Sequence, residues 1–188
     1  MTRLLRGTGT GGIAGEEFAM KLMSEKLQDL QALYVKDLRL LLSAEEVIAM
    51  KMPFVIGSAS DPELKQVFRQ HRLETEEQVK RLREILHQVS GEADPLKCKV
   101  MYSMFGEIED VAEDAEHERL RDAAMLAEAR RIEHYEIASY GALLEFARLL
   151  GYERHVQLLE ATMREETMAD NRLAEIGARV YLTARTAA

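Results

Sequence analysis

Glu133 and Glu136 lie inside the stretch Asp122–Leu150, where residues spaced three and four apart read Asp122, Leu126, Ala129, Glu133, Glu136, Tyr140, Leu143, Ala147 and Leu150. Wound into a helix, this row faces a core. Two carboxylates nevertheless occupy its middle, where leucine is the natural choice. An ionised carboxylate in an apolar interior is unfavourable unless a cation, hydrogen bonds or a retained proton compensates. If other helices bring polar groups to the same level, the natural compensating partner is a metal ion.

Three further helical patterns repeat the anomaly. One begins near Glu16 and carries the stripe Leu27, Leu30, Tyr34, Leu38, Leu41, Glu45, Ile48, Met52, apolar or aromatic except at Glu45. Pro53 is expected to kink this helix rather than end it, because the sequence after it stays apolar. A second pattern, from about Pro62 to Val89, reads Leu64, Phe68, His71, Thr75, Gln78, Leu82, Ile85, Val89, with Glu74 beside His71 and Thr75. The last, from about Arg154 to Leu182, reads Leu159, Met163, Glu166, Asp170, Leu173, Gly177, Val180. In each case the ends of the stripe are apolar and the polar residues sit in its centre.

The elements that must position these groups follow from the breaks between patterns. Gly57 to Asp61 is a turn, and Ser60-Asp61-Pro62-Glu63 reads as a helix start with proline in its first turn. Ser90 to Pro95 is a loop, and Leu96 to about Glu113 a shorter amphipathic helix with Met101, Met104, Phe105, Ile108 and Val111 on one side. The charged run from Glu113 to Arg121 separates it from the Asp122 helix, which ends at the turn Gly151-Tyr152. Four long helices, two short turns and one long crossover predict an all-α fold: a ferritin-like four-helix bundle with a short extra helix in the crossover between the second and third long helices. Counted from their turns, Glu45, Glu74, Glu136 and Glu166 are all about 14–16 residues away, so antiparallel pairing sets them at one height.

Composition agrees with that class and excludes others. The 188 residues suffice for one domain with a real core, taken as residues 16–183 behind a flexible glycine- and threonine-rich arm over residues 1–15. A net charge of -8 argues against nucleic acid or an anionic membrane surface as partner. Cys98 is the only cysteine, which excludes an intrachain disulfide and a thiolate zinc site. No apolar run is long enough to span a membrane, and the basic start lacks the apolar segment of a secretory signal, so a cytoplasmic location is expected. The ten methionines follow helical spacing among apolar neighbours and read as core filling.

The candidate metal ligands are therefore Glu45, His71, Glu74, Glu133, Glu136, Glu166 and Asp170. Carboxylate oxygens with one imidazole suit iron or manganese better than zinc or copper. Four acids suffice to ligate, and the others can then accept hydrogen bonds from Tyr140, Gln78 or Thr75. His71-x-x-Glu74 reverses the Glu-x-x-His order of well-understood di-iron bundles, while Glu84-x-x-His87 has the spacing but points to solvent. Asp122 shares the core stripe about 20 Å along the axis from the belt, and a role at a helix N-terminus suits it better.

The block PELKQVFRQHRLETEEQVKRL, the segments RDAAML and RRIEHYEIASYGAL, and REETMADNRL resemble the YciF-like bacterial stress proteins of the ferritin-like superfamily, over about Val35 to Ile176. Leu40 departs from it, standing where an acidic residue is expected ahead of Ala44-Glu45. The resemblance implies a ferritin-like bundle, a homodimer and a di-metal site, and it implies no established reaction. The apolar face of the short helix, which needs a cover, also points weakly to a dimer. Two functions stay open. In one, iron or manganese bound by the belt serves oxidative or stress-related metal chemistry; in the other, a metal-free structural or interaction protein satisfies the belt with its own hydrogen bonds and retained protons. No nucleophile motif supports a hydrolase.

Overall fold

The computed structural model describes residues 27–186. The expected arm over residues 1–15 and the helical pattern from Glu16 to Lys26 lie outside them. Five helices follow: α1 (Leu30–Ser58), α2 (Pro62–Ser90), α3 (Lys99–Asp114), α4 (Glu118–Leu149) and α5 (Glu153–Arg185). All described regular structure is helical, as the stripes spaced three and four residues apart predict.

Local chemistry fixes the ends. Asp29 accepts from the Ala32 amide at 2.7 Å, so α1 starts at Leu30, and Leu27, expected in the buried stripe, is exposed. Pro53 lies inside α1, which continues to Ser58. Asp61 caps α2 by accepting from the amides of Glu63 and Leu64, both at 3.0 Å, with Pro62 at the first helical position. Gly151, at φ +74°, makes the left-handed turn between α4 and α5 that a side chain would strain.

α1 and α2 pack as an antiparallel pair, and so do α4 and α5. The two pairs meet with α2 antiparallel to α5: Arg81 pairs with Glu165 near one end and Arg179 with Asp61 near the other. The crossover makes α2 and α4 parallel, so Asp61 meets Asp122 near both N-termini and His71 meets Glu133 further along. This is the four-helix bundle with one long crossover.

The crossover is tied to α1 by Arg39 Nε donating to the Asp94 carbonyl (2.8 Å), the Leu96 amide to the Arg39 carbonyl (3.0 Å) and the Cys98 amide to Ser43 Oγ (3.0 Å). α3 then lies across α1 and α4 and buries Met101, Phe105 and Ile108. Each such side chain contributes about 1.5–3 kcal/mol of burial. The face that the sequence left in need of a cover is thus covered within the chain, and it gives no support to a dimer. No helix is long and apolar enough among the described residues to cross a membrane.

Candidate metal centre

Apolar layers close both ends of the bundle, and between them a polar belt is sealed from solvent. α1 contributes Glu45, α2 His71, Thr75 and Gln78, α4 Glu133, Glu136 and Tyr140, and α5 Thr162 and Glu166, all buried. Four of these converge: one ligand atom from each of His71, Glu133, Glu136 and Glu166 lies within 4.8 Å of the others. His71 Nε2 is 3.7 Å from Glu133 Oε1, and its Nδ1 is 3.9 Å from Glu166 Oε2. Glu45 is held beside them by the Tyr140 hydroxyl, which donates to its Oε1 at 2.5 Å. Gln78 Nε2 donates to Glu166 Oε1 and, at 3.1 Å, to Glu165 Oε2.

These hydrogen bonds satisfy only part of the belt. Both ring nitrogens of His71, both carboxylate oxygens of Glu136, one oxygen each of Glu45, Glu133 and Glu166, and the Gln78 amide oxygen are buried without a partner. Orphaned buried polar atoms are rare because each forfeits its hydration. Eight at one level, seven of them ligand-type atoms of acids and an imidazole, fit a cation that is coordinated by them. Carboxyls also face each other, Glu45 toward Glu136 and Glu133 toward Glu166, and those pairs hydrogen-bond only when one member keeps a proton.

The electrostatics agree. Burial pushes Glu45 up to about 7 and Glu133 up to about 8, against an ordinary value of 4.5. Burial followed by the charges of neighbouring acids, Glu45 first among them, raises Glu136 and Glu166 well above the carboxylate range. Burial pulls His71 down to about 4, so its ring is neutral at pH 7 and its lone pair is available to a metal.

Two of the expected ligands are not brought in. Glu74 lies off the belt, where both its oxygens accept from Arg172 Nη2 at 3.1 Å and Oε1 accepts from Gln70. Asp170 pairs with Arg130 at 2.7 Å and with His134 at 3.4 Å. The reason is the ambiguity between three- and four-residue steps on a helix. The buried row of α5 runs Leu159, Thr162, Glu166, Ala169, Leu173, Ile176, Val180, so Ala169 takes the inward place assigned to Asp170 and Thr162 that of Met163. On α2 the inward residues are His71, Thr75 and Gln78, and Glu74 falls to the flank.

Other residues stand as read or were missed. Glu84 and His87 are exposed, as expected. Asp122 does serve a helix N-terminus, but that of α2 rather than its own: it accepts from the Ser60 and Asp61 amides at 2.7 and 2.8 Å. His155 is a buried histidine that the stripes did not single out, held by Tyr34 (3.3 Å) and Gln88 (3.0 Å) well away from the belt. Arg81 and Glu165, which pair at 2.6 Å on the flank of Gln78, look in sequence like ordinary surface charges, and no spacing marks them. A groove of about 510 Å³ between α4 and α5 includes no belt residue, whereas a cavity of about 10 Å³ beneath α3 touches His71 and Glu133 among apolar side chains.

With this geometry in view, the comparisons with known proteins are consistent. The family described as a domain of unknown function, DUF892, matches residues 29–185. Protein YciF of Escherichia coli strain K12 is 35% identical over 135 residues, 71% of this chain and 81% of that one. The crystal structure of that E. coli stress protein superimposes with a TM-score of 0.79 at 31% identity, covering 82% of this chain and 98% of YciF. YcfI of Rhodopseudomonas palustris gives 0.78 at 30% identity, over 81% and 97% of the two chains. A protein from Xanthomonas campestris pv. campestris, 22% identical with a TM-score of 0.67 over 82% and 94%, shares the fold. Sequence and architecture together show that the chain belongs to the DUF892 family, the family of the stress protein YciF.

Proposed function

We propose that the belt binds two divalent ions, iron or manganese, through Glu45, His71, Glu133, Glu136 and Glu166, and that the protein serves stress-related metal chemistry as a cytoplasmic homodimer. The observation that supports the site is the convergence of buried, partnerless carboxylate oxygens and both His71 nitrogens at one height. Bound there, such ions supply redox and Lewis-acid chemistry toward dioxygen or peroxide. The chain's own part is positional. Tyr140 and Gln78 orient Glu45 and Glu166. Leu38, Leu41, Leu143 and Leu173 in the adjoining core keep bulk water out. The acids arrive protonated, so loading expels their protons and strengthens with pH.

A second reading rests on the facing carboxyl pairs, Glu45 with Glu136 and Glu133 with Glu166. In it, shared protons satisfy the belt permanently and the bundle is a structural or interaction protein. Anaerobic titration with ferrous iron separates the two. The metal reading expects saturable binding near two ions per chain that the double variant Glu45→Ala/Glu136→Ala lacks. Equal, weak binding by both proteins would leave the structural reading standing.

A further inference from the structure

A sealed site needs a way in for its ion, and three seams of the bundle differ in what lines them. Over His71 and Glu133 the α1/α4 side is roofed by α3, whose Met101, Phe105 and Ile108 are buried, and the small cavity there is otherwise apolar. Beyond α3 a groove between α1 and α4 is floored by the buried Leu41 and Leu143. A hydrated divalent cation does not cross such a layer, because nothing replaces its water. The α4/α5 seam is closed near this level by the buried Ala129 and Ala169 and, on its flank, by the Arg130–Asp170 pair.

The α2/α5 seam differs. Glu165, partly open to solvent, accepts from Gln78; Gln78 is fully buried and accepts nothing at its amide oxygen; Glu166, also fully buried, has one free oxygen. The Gln78 amide nitrogen thus bridges a carboxylate at the surface and one in the belt, and its unpartnered oxygen needs only a turn of the amide to stand between them. Over the outermost step sits Arg81, bonded to Glu165 at 2.6 and 2.8 Å and to Thr162 at 3.0 Å. A second guanidinium, Arg172 on Glu74, closes the same seam on the other side of Gln78.

We infer that Glu165, Gln78 and Glu166 form the access ladder for the divalent cation, and that Arg81 is the displaceable charge that closes it. The inference rests on the reading of the belt as a metal site. An arriving ion exchanges waters for the Glu165 carboxylate as Arg81 swings away. Gln78 then turns its unpartnered oxygen to the ion and passes it to Glu166. Arg81 is exposed enough to leave without unfolding the helix, since a quarter of its side chain already meets solvent.

The test is the kinetics of Mn(II) uptake by the metal-free chain, followed by stopped-flow mixing and electron paramagnetic resonance of free Mn(II), with the final stoichiometry measured separately. Glu165→Gln is expected to slow uptake by about tenfold, the scale on which a focused local charge alters cation arrival, with stoichiometry unchanged. Arg81→Gln is expected to speed it. Both residues lie on the flank, and circular dichroism checks that each variant is folded. Wild-type rates in both variants overturn the ladder alone. A loss of stoichiometry in Glu165→Gln overturns it too, by making Glu165 a ligand. Absence of binding by the unaltered protein instead overturns the metal site, and the ladder with it.

Discussion

Each belt glutamate holds its proton more tightly in the folded chain than in an unfolded one, where a glutamate titrates near 4.5. The stability these groups contribute is complete below that value and is lost as the pH rises through about 7 for Glu45 and about 8 for Glu133. His71 works the other way over a lower range: its folded value of about 4 lies under the ordinary 6.5, so its contribution grows as the pH rises between them. Above 6.5 the glutamates dominate the belt. The metal-free chain should therefore show a melting temperature that falls from about pH 6.5 to about pH 8.5, measured by circular dichroism in the presence of a chelator. Excess Mn(II) should flatten the slope. Glu136→Gln should raise the melting temperature at the alkaline end while weakening metal binding, because it removes the most crowded buried charge. A melting temperature that climbs with pH would count against protonated acids in the belt.

The helices matter here chiefly through how their ends and faces are set. Asp122 ties α4 to the start of α2 by taking two backbone N–H groups of the turn that no helix bond can satisfy. It thereby fixes the parallel register that puts His71 opposite Glu133. Asp122→Ala leaves both donors unpaired, at about 1–3 kcal/mol each. Urea unfolding should show a lowered midpoint with an unchanged slope, whereas Asp122→Asn should retain part of the loss. A midpoint equal to that of the parent chain would mean that solvent replaces the cap without cost. α3 has a different role, since it supplies an apolar roof rather than a ligand, and the pattern Met101, Phe105, Ile108 already announced that face.

For the molecule as a whole, the bundle is closed unevenly, because the short helix covers one side of it. α3 folds back onto its own chain, so the proposed homodimer rests on the resemblance to YciF-like proteins and not on an uncovered helix. Sedimentation at micromolar concentration is expected to give twice the 21.4 kDa chain mass. A monomer there would remove the dimer and leave the metal reading untouched, because the belt draws every donor from one chain.

The residue stripes by themselves determined the helical class, the order of the elements, the two tight turns, and the presence of acids and one imidazole on buried faces. Spacing carries that information because a helix repeats every three to four residues and an apolar interior tolerates few exceptions. What spacing could not resolve was the choice between a three- and a four-residue step at the margin of a face. On that choice Glu74 and Asp170 turned to arginines and Ala169 turned inward. Nor could it show that Arg81 and Glu165, 84 residues apart and each unremarkable in sequence, meet beside Gln78. Only the packing of α5 against α2 decides that, since a side chain's partner across a seam depends on the rotation of both helices about their axes.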